Sequence, residues 1–362
     1  MGANFLNLLL STALLQSSPS DIATPFSPDS LAAKPGSGIA YERLSDALRY
    51  DRVQGLSLGI GYRVRMPGVN FTTLHGTVRY GLSDDRVTGR LTILRDAPGG
   101  RLAVSGYREI SAFDPFAPGH GFGNTLNGIF AAHDDGDYSL VQGGSFGYQT
   151  SVATGLNFGI GVAVQREESV VREARSAVND FLGGTGEFPP NPPIAEGAYG
   201  SAWVRLDGLG RRRWSVTADL LAGEGRSTGR LYGRIREEFG GKSGATLELK
   251  AGAATQPTLP QSLFRLGGVS TVRGFEYGAL RGQAFWAARL DIAPLRGRLR
   301  PVLFADAGQA ASLESLFSSQ ALAGAGAGLS VFGGVLRFDL SYPIAPDVGG
   351  KVRFDIVVQA PR

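Results

Sequence analysis

The sequence predicts an all-β protein, a transmembrane antiparallel β-barrel of about 16 strands. Three observations carry that expectation. Polar and apolar residues alternate with period two from Tyr50 almost to the end of the chain. No apolar run reaches the ~18 residues a membrane-spanning helix needs. The two longest connections between strand-like runs, 171–196 and 257–282, both follow odd-numbered strands, as they must when long loops gather at one end of a barrel.

The alternation is strict where it is clearest. Along 86–93, Arg86, Thr88, Arg90 and Thr92 alternate with Val87, Gly89, Leu91 and Ile93. Arg337, Asp339 and Ser341 alternate with Leu336, Phe338, Leu340 and Tyr342, and Lys351, Arg353 and Asp355 with Val352, Phe354, Ile356 and Val358. Such a pattern gives each strand one wet and one apolar face. Taken in order, the expected strands are 50–65, 72–83, 86–95, 100–111, 124–134, 137–150, 155–170, 197–207, 212–225, 228–240, 245–256, 283–294, 300–310, 322–332, 334–344 and 350–360. The fifth has a second reading, with Leu126–His133 as a short helix inside a loop. In that case the count loses its parity, and 112–123 is already a long connection on the wrong side. A soluble sandwich also alternates. Aromatics near strand ends (Tyr50, Tyr62, Tyr80, Tyr107, Trp214, Tyr232, Trp286, Tyr342) favour the girdles of a membrane barrel. In hydrocarbon an unpaired strand edge is costly, so such a sheet must curl round on itself.

Composition narrows the function classes. The chain has 362 residues, 53 Gly and no Cys, with a net charge of +4 from interleaved signs. Glycine without a three-residue period excludes collagen, and the small net charge gives no reason to expect nucleic acid as a partner. The three histidines, His75, His120 and His133, are scattered, and nothing has the spacing of a metal site; no cofactor is expected. Gly143-Gly-Ser-Phe-Gly147 formally matches a hydrolase elbow, but every His precedes Ser145 and period two runs through the match, so no enzyme is expected. Gly324-Ala-Gly-Ala-Gly328 resembles a phosphate loop, yet no helix follows; it reads as a tight or bent strand. Residues 1–49 read as an N-terminal segment outside the wall, with 50–362 as the barrel. Within the first segment, 5–15 is apolar like a secretory signal but lacks a basic start, so it reads either as a weak signal or as part of a chain cut from a longer one.

The stretch 266–278, Leu-Gly-Gly-Val-Ser-Thr-Val-Arg-Gly-Phe-Glu-Tyr-Gly, lies in the long connection between strands 11 and 12. About 25 residues later comes Phe304-Ala-Asp306-Ala-Gly308. This pair resembles the sixth-loop and strand motifs of the BamA/TamA superfamily: outer-membrane assembly barrels, bacterial surface antigens and two-partner secretion transporters. The resemblance implies that 257–282 folds into the lumen. It implies that Val272, Arg273, Gly274 and Phe275 form the tip, and that Arg273 contacts the acidic residue of the strand motif. Phe304, Asp306 and Gly308 share one face, and Asp306 belongs inside because a lipid-facing carboxylate is costly. Glu248, Arg289 and Asp291 fall on the same inward face as further lumen partners. The competing reading of Arg273 is a solvated loop arginine. The resemblance also implies a place in the bacterial outer membrane and contact with its lipid. Unfolded outer-membrane or secreted proteins are the implied clients, with a weak seam between first and last strand accepting a client strand. The periplasmic POTRA modules usual in such proteins have no room in 1–49, so either an upstream part was lost, a separate POTRA-bearing or other periplasmic subunit supplies them, or the barrel is a divergent stand-alone form. The chain also ends Val357-Val-Gln-Ala-Pro-Arg362 without the terminal aromatic common in such barrels. The alternative reading is a passive pore or structural barrel.

Overall fold

The structure, a computed structural model, describes residues 37–40, 44–240, 244–256, 259–295, 297, 299–346 and 352–358. Its wall is a 17-stranded sheet. The chain begins with β1 (Gly38–Ile39), α1 (Leu44–Ala47), β2 (Leu48–Asp51), β3 (Gly55–Arg65), β4 (Thr72–Gly81), β5 (Val87–Ala97) and β6 (Gly100–Ala112). After α2 (Phe122–Ala131) come β7 (Tyr138–Ala153), β8 (Leu156–Ser169), α3 (Ala177–Phe181), β9 (Gly197–Gly208), β10 (Arg212–Gly223), β11 (Arg226–Phe239) and β12 (Gly244–Ala254). A separate two-stranded sheet, β13 (Phe264–Leu266) with β14 (Leu280–Gly282), interrupts the wall order. The wall then resumes with β15 (Ala284–Ala293), β16 (Arg300–Ala311), β17 (Leu322–Val331), β18 (Leu336–Ala345) and β19 (Arg353–Val358).

From β3 onward each wall strand pairs antiparallel with the next. β4 occupies one side of β3, and both β1 and β2 run along the other, Gly38 opposite Arg63 and Leu48 opposite Leu58. They are two pieces of one strand broken by α1, so the 17 strands fill sixteen positions. Gly59 and Gly61 make the break possible. A Cβ on either would overlap a carbonyl of the interrupted strand, that of Asp46 or of Ala40. Arg79 donates to the carbonyls of Ser45 and Asp46 at 2.6 and 2.7 Å and so satisfies the turn.

This arrangement corrects three expectations. β1 and β2, at 38–39 and 48–51, are in the wall ahead of the expected start at Tyr50, and the expected strand 50–65 is split by a turn at 52–54. The expected fifth strand, 124–134, is mostly helix α2. One strand lost and one gained leave the count at sixteen and cure the parity problem. Connections 113–137, 170–196, 255–283 and 312–321 now share one end, while 66–71, 98–99, 154–155, 209–211 and 332–335 are short turns at the other. The chain enters the wall at β1 and the described chain leaves it at Val358, both at the short-turn end. Of the expected last strand, 350–360, the described part is 352–358, and 350–351 and 359–360 lie outside the described residues.

Burial is inverted relative to a protein that folds in water. Leu58, Ile93, Val162, Leu303 and Leu340 are exposed, whereas Thr92, Ser105, Thr217, Lys250, Asp306 and Asp339 are buried. A wall with apolar side chains outside and polar ones inside suits lipid around it. Tyr62, Tyr80 and Tyr342 lie on the outer face. Tyr50, Tyr107 and Tyr232 do not join a girdle, because their strand phase turns them inward. Tyr107 donates to Gln165 at 2.8 Å, Tyr232 packs edge-on against Phe116, and Tyr50 donates to the carbonyl of Arg175 at 2.6 Å. Val162, 51% exposed in the middle of β8, tests the assignment. Val162→Arg should destabilise the barrel by about 2–4 kcal/mol in vesicles. Urea titration of the folded fraction reads this; a loss under ~0.5 kcal/mol would place the residue in water.

Candidate functional site

The connection between β12 and β15 turns back along the inner wall. β13 and β14 form its neck, with Phe264 opposite Gly282, and the tip lies between them. Four loop side chains, Phe264, Leu266, Val272 and Phe275, pack into a buried apolar cluster with Phe285, Ala287, Ala310 and Leu322 of the wall. Gly274 has φ +93°, and a Cβ there would meet the backbone of Tyr342 and Pro343 at 2.8–2.9 Å, so the tip can approach β18 only through glycine. Gly308 plays the matching part on β16, where a Cβ would meet Leu266 at 3.0 Å.

Arg273 is fully buried. Its Nε donates to Asp306 at 2.6 Å and one Nη to the other oxygen of the same carboxylate at 2.7 Å, a bidentate pair. The same Nη reaches Asp291 at 2.7 Å, the other Nη reaches Asp339 at 3.3 Å, and the backbone N–H adds a 3.0 Å bond to Asp306. The guanidinium also lies 3.7 Å from the ring centroid of Phe304, whose face favours a cation. Arg337 closes the network, donating to Asp291 at 2.9 Å and to Asp339 at 2.7 Å, and Arg289 approaches Asp306 at 3.7 Å. Three arginines thus meet three aspartates drawn from the loop and from β15, β16 and β18. Burial alone would lower the pKa of Arg273; Asp306, then Asp291 and Asp339, outweigh it and hold the guanidinium above its ordinary value.

Each residue expected at the site has a place. Val272 and Phe275 are in the apolar cluster, Gly274 at the close approach, Phe304 under the guanidinium, Asp306 and Asp291 on it, and Gly308 beneath Leu266. Glu248 is not a partner of Arg273. It pairs with Lys250 at 2.6 Å and with Arg236 at 3.5 Å, while Lys250 donates to the loop carbonyl of Ser270. Residues 257–258 of the expected loop lie outside the described residues.

The sequence reading missed two features. The glycines of 324–328 face inward and make room. A Cβ at Gly324 would overlap the carbonyl of Arg273, and one at Gly326 the ring of Phe304. Their period-two spacing was the available signal. The second feature is the connection 113–137, which holds the loop from the opposite side. Asp135 accepts from the N–H of Val269 at 2.5 Å, Asp137 from Arg265 at 2.9 Å, and Asp114 from the hydroxyl of Tyr277 at 3.0 Å. Burial raises the pKa of Asp134 in the same run despite Arg52 beside it. The acid density of Asp134-Asp-Gly-Asp137 was the clue. Beside the neck of the loop the lumen keeps a small cavity of about 80 Å³ lined by Glu109, Gln165, Glu167, Trp203, Arg230 and Gln261 among others.

Comparison with known proteins gives matches in two stretches. A model described as "Family of unknown function (DUF5686) C-terminal domain" matches residues 31–203. A second, described as "Haemolysin secretion/activation protein ShlB/FhaC/HecB", matches 234–331, the stretch that holds the loop and the Asp306 strand. No curated protein matches the sequence. Among solved structures, BamA from Haemophilus ducreyi lacking POTRA domains 1–3 shares the fold. Its TM-score is 0.60 at 12% identity, covering 98% of this chain and 77% of that one. CdiB from Escherichia coli is a looser likeness, with a TM-score of 0.48 at 12% identity over 96% of this chain and 68% of that one.

Proposed function

From a barrel of the BamA/TamA type as premise, we propose that this chain inserts or secretes proteins at the bacterial outer membrane by a non-enzymatic route. The observation that carries the reading is the buried Arg273–Asp306 pair within the stretch matched by the haemolysin secretion/activation model. The long-loop end then faces outside and the short turns face the periplasm. The loop braces four neighbouring strands from inside, so the wall can loosen at its seam without collapsing. A client strand adds to the seam by main-chain pairing, which needs no particular client sequence. The clients are unfolded outer-membrane or secreted proteins. A second reading, a passive or structural pore, draws on the small lumen cavity beside Glu167.

One assay separates the two. The purified chain is reconstituted in phospholipid vesicles, and a urea-denatured eight-stranded barrel is added. The proposal expects that barrel to become heat-modifiable and protease-protected at least tenfold faster than in empty vesicles. Ion conductance with no gain in folding rate would leave the passive pore as the reading.

A further inference from the structure

We propose that α2 is a strand mimic: it closes the seam of the barrel by occupying the edge to which a client strand adds. The inference rests on the client-handling reading for the identity of the occupant, an extended polypeptide. Among the described residues no strand register joins β19 to β1 or β2. What spans the gap is the connection 113–137. The N–H of Ile356 in β19 donates to Asn127 Oδ1 at 2.6 Å, and Asn127 Nδ2 donates back to the carbonyl of Ile356 at 3.1 Å. One side-chain amide thus exchanges two hydrogen bonds with one residue, as an antiparallel strand partner would. Across the gap, the N–H of Tyr50 in β2 donates to Thr125 Oγ1 at 3.2 Å. Tyr50 pairs with Leu56 of β3, whose far side is taken by β4, so this N–H sits on the strand that borders the seam.

The rest of the connection reinforces the staple. Asp134 accepts from the N–H of Arg52, just after β2, at 2.8 Å. Asp135 accepts from Arg353 of β19 at 2.8 Å, and His133 lies 3.2 Å from Asp355. Among the described residues, both seam strands are therefore held by one loop.

The chemistry of α2 suits a reversible occupant. A surface helix normally buries an apolar stripe. Here the buried residues are Asn124, Thr125, Asn127 and Gly128, while Phe130 is exposed. Thr125 and Asn127 spend their side chains on the main chain of the two seam strands, while Asn124 bonds within the connection and to the Tyr138 hydroxyl. An incoming strand can replace those bonds in kind, so displacement exchanges bonds without leaving the edge of β19 unpaired. An occupant of stated chemistry follows: any extended segment offering a main-chain N–H and C=O opposite Ile356.

The chain contains no Cys, which permits a direct test. A Cβ at Gly123 would lie 3.7 Å from that of Val358, within the range for a disulfide. Gly123→Cys with Val358→Cys, oxidised, should lock α2 on β19 and slow insertion of the urea-denatured eight-stranded barrel at least tenfold, with dithiothreitol restoring the rate. Asn127→Ala should speed amide exchange at Ile356 at least tenfold, leave the amides of β17 unchanged, and insert the client no more slowly than the parent. Full-rate insertion with the disulfide closed, or exchange at Ile356 unmoved by Asn127→Ala, would overturn the inference while leaving the client-handling reading intact. If Ile356 exchange responds as expected but no form inserts the client, the client-handling reading fails and the staple survives it.

Discussion

Arg273→Ala should lose more stability than any other single change in the lumen. The substitution leaves Asp306, whose side chain has no exposure, with only Arg289 at 3.7 Å, and leaves Asp291 and Asp339 to share Arg337. Breaking a buried pair costs about 3–5 kcal/mol, and here one cation serves three carboxylates. Asp306→Ala should cost less, because Arg273 keeps Asp291 and Asp339. The double variant should be less unstable than the two losses added together. Arg273→Lys should rescue little, since a point charge cannot bridge three carboxylates in a planar fork. The temperature at which the folded, fast-migrating band disappears on a semi-native gel measures all four. Equal losses for the two alanine variants, strictly additive, would remove the bracing role.

Gly324→Ala should be nearly as damaging, although it adds a single methyl group. That methyl would overlap the carbonyl of Arg273, and both atoms belong to backbone or are fixed to it, so neither can swing aside. Either the loop tip withdraws or β17 shifts, and the barrel then loses the pairs of Arg273 and part of the apolar cluster around Val272. Overpacking typically costs 1–3 kcal/mol; displacement of the tip should take this site to the top of that range. Withdrawal should also raise pore conductance and make the loop sensitive to protease. Ala325→Val, on the opposite face of the same strand, is the control and should change neither. A Gly324→Ala protein with a protected loop and parental conductance would show that the tip is not seated there.

The sequence carried much of this because a barrel wall obeys one rule. Once Asp306 is inward, Phe304 and Gly308 follow, and so do Arg337 and Asp339 on their strand. Distance in the chain hid the rest. Arg273, Asp291 and Asp339 meet through register across β15 to β18, and no local pattern reports register between strands. β1 and β2 were illegible because α1 separates them before any alternation can build. α2 was misread because its buried face is Asn, Thr, Asn and Gly, which a search for apolar periodicity does not see. The glycine run at 324–328 looked like a feature of its own strand, whereas its use lies in the loop laid across it.

Both ends of the described wall emerge at the short-turn end, and the first and last strands are the two sides of the seam. Any segment joined to either end is therefore tethered beside the seam. A tether converts a bimolecular encounter into an intramolecular one, at effective concentrations that reach the millimolar range for short flexible linkers. A docking element fused to this barrel would need only weak intrinsic affinity for a client, because covalent connection already supplies proximity. A subunit that acts in trans must replace that proximity with affinity of its own, about 1.4 kcal/mol for each tenfold of local concentration forgone.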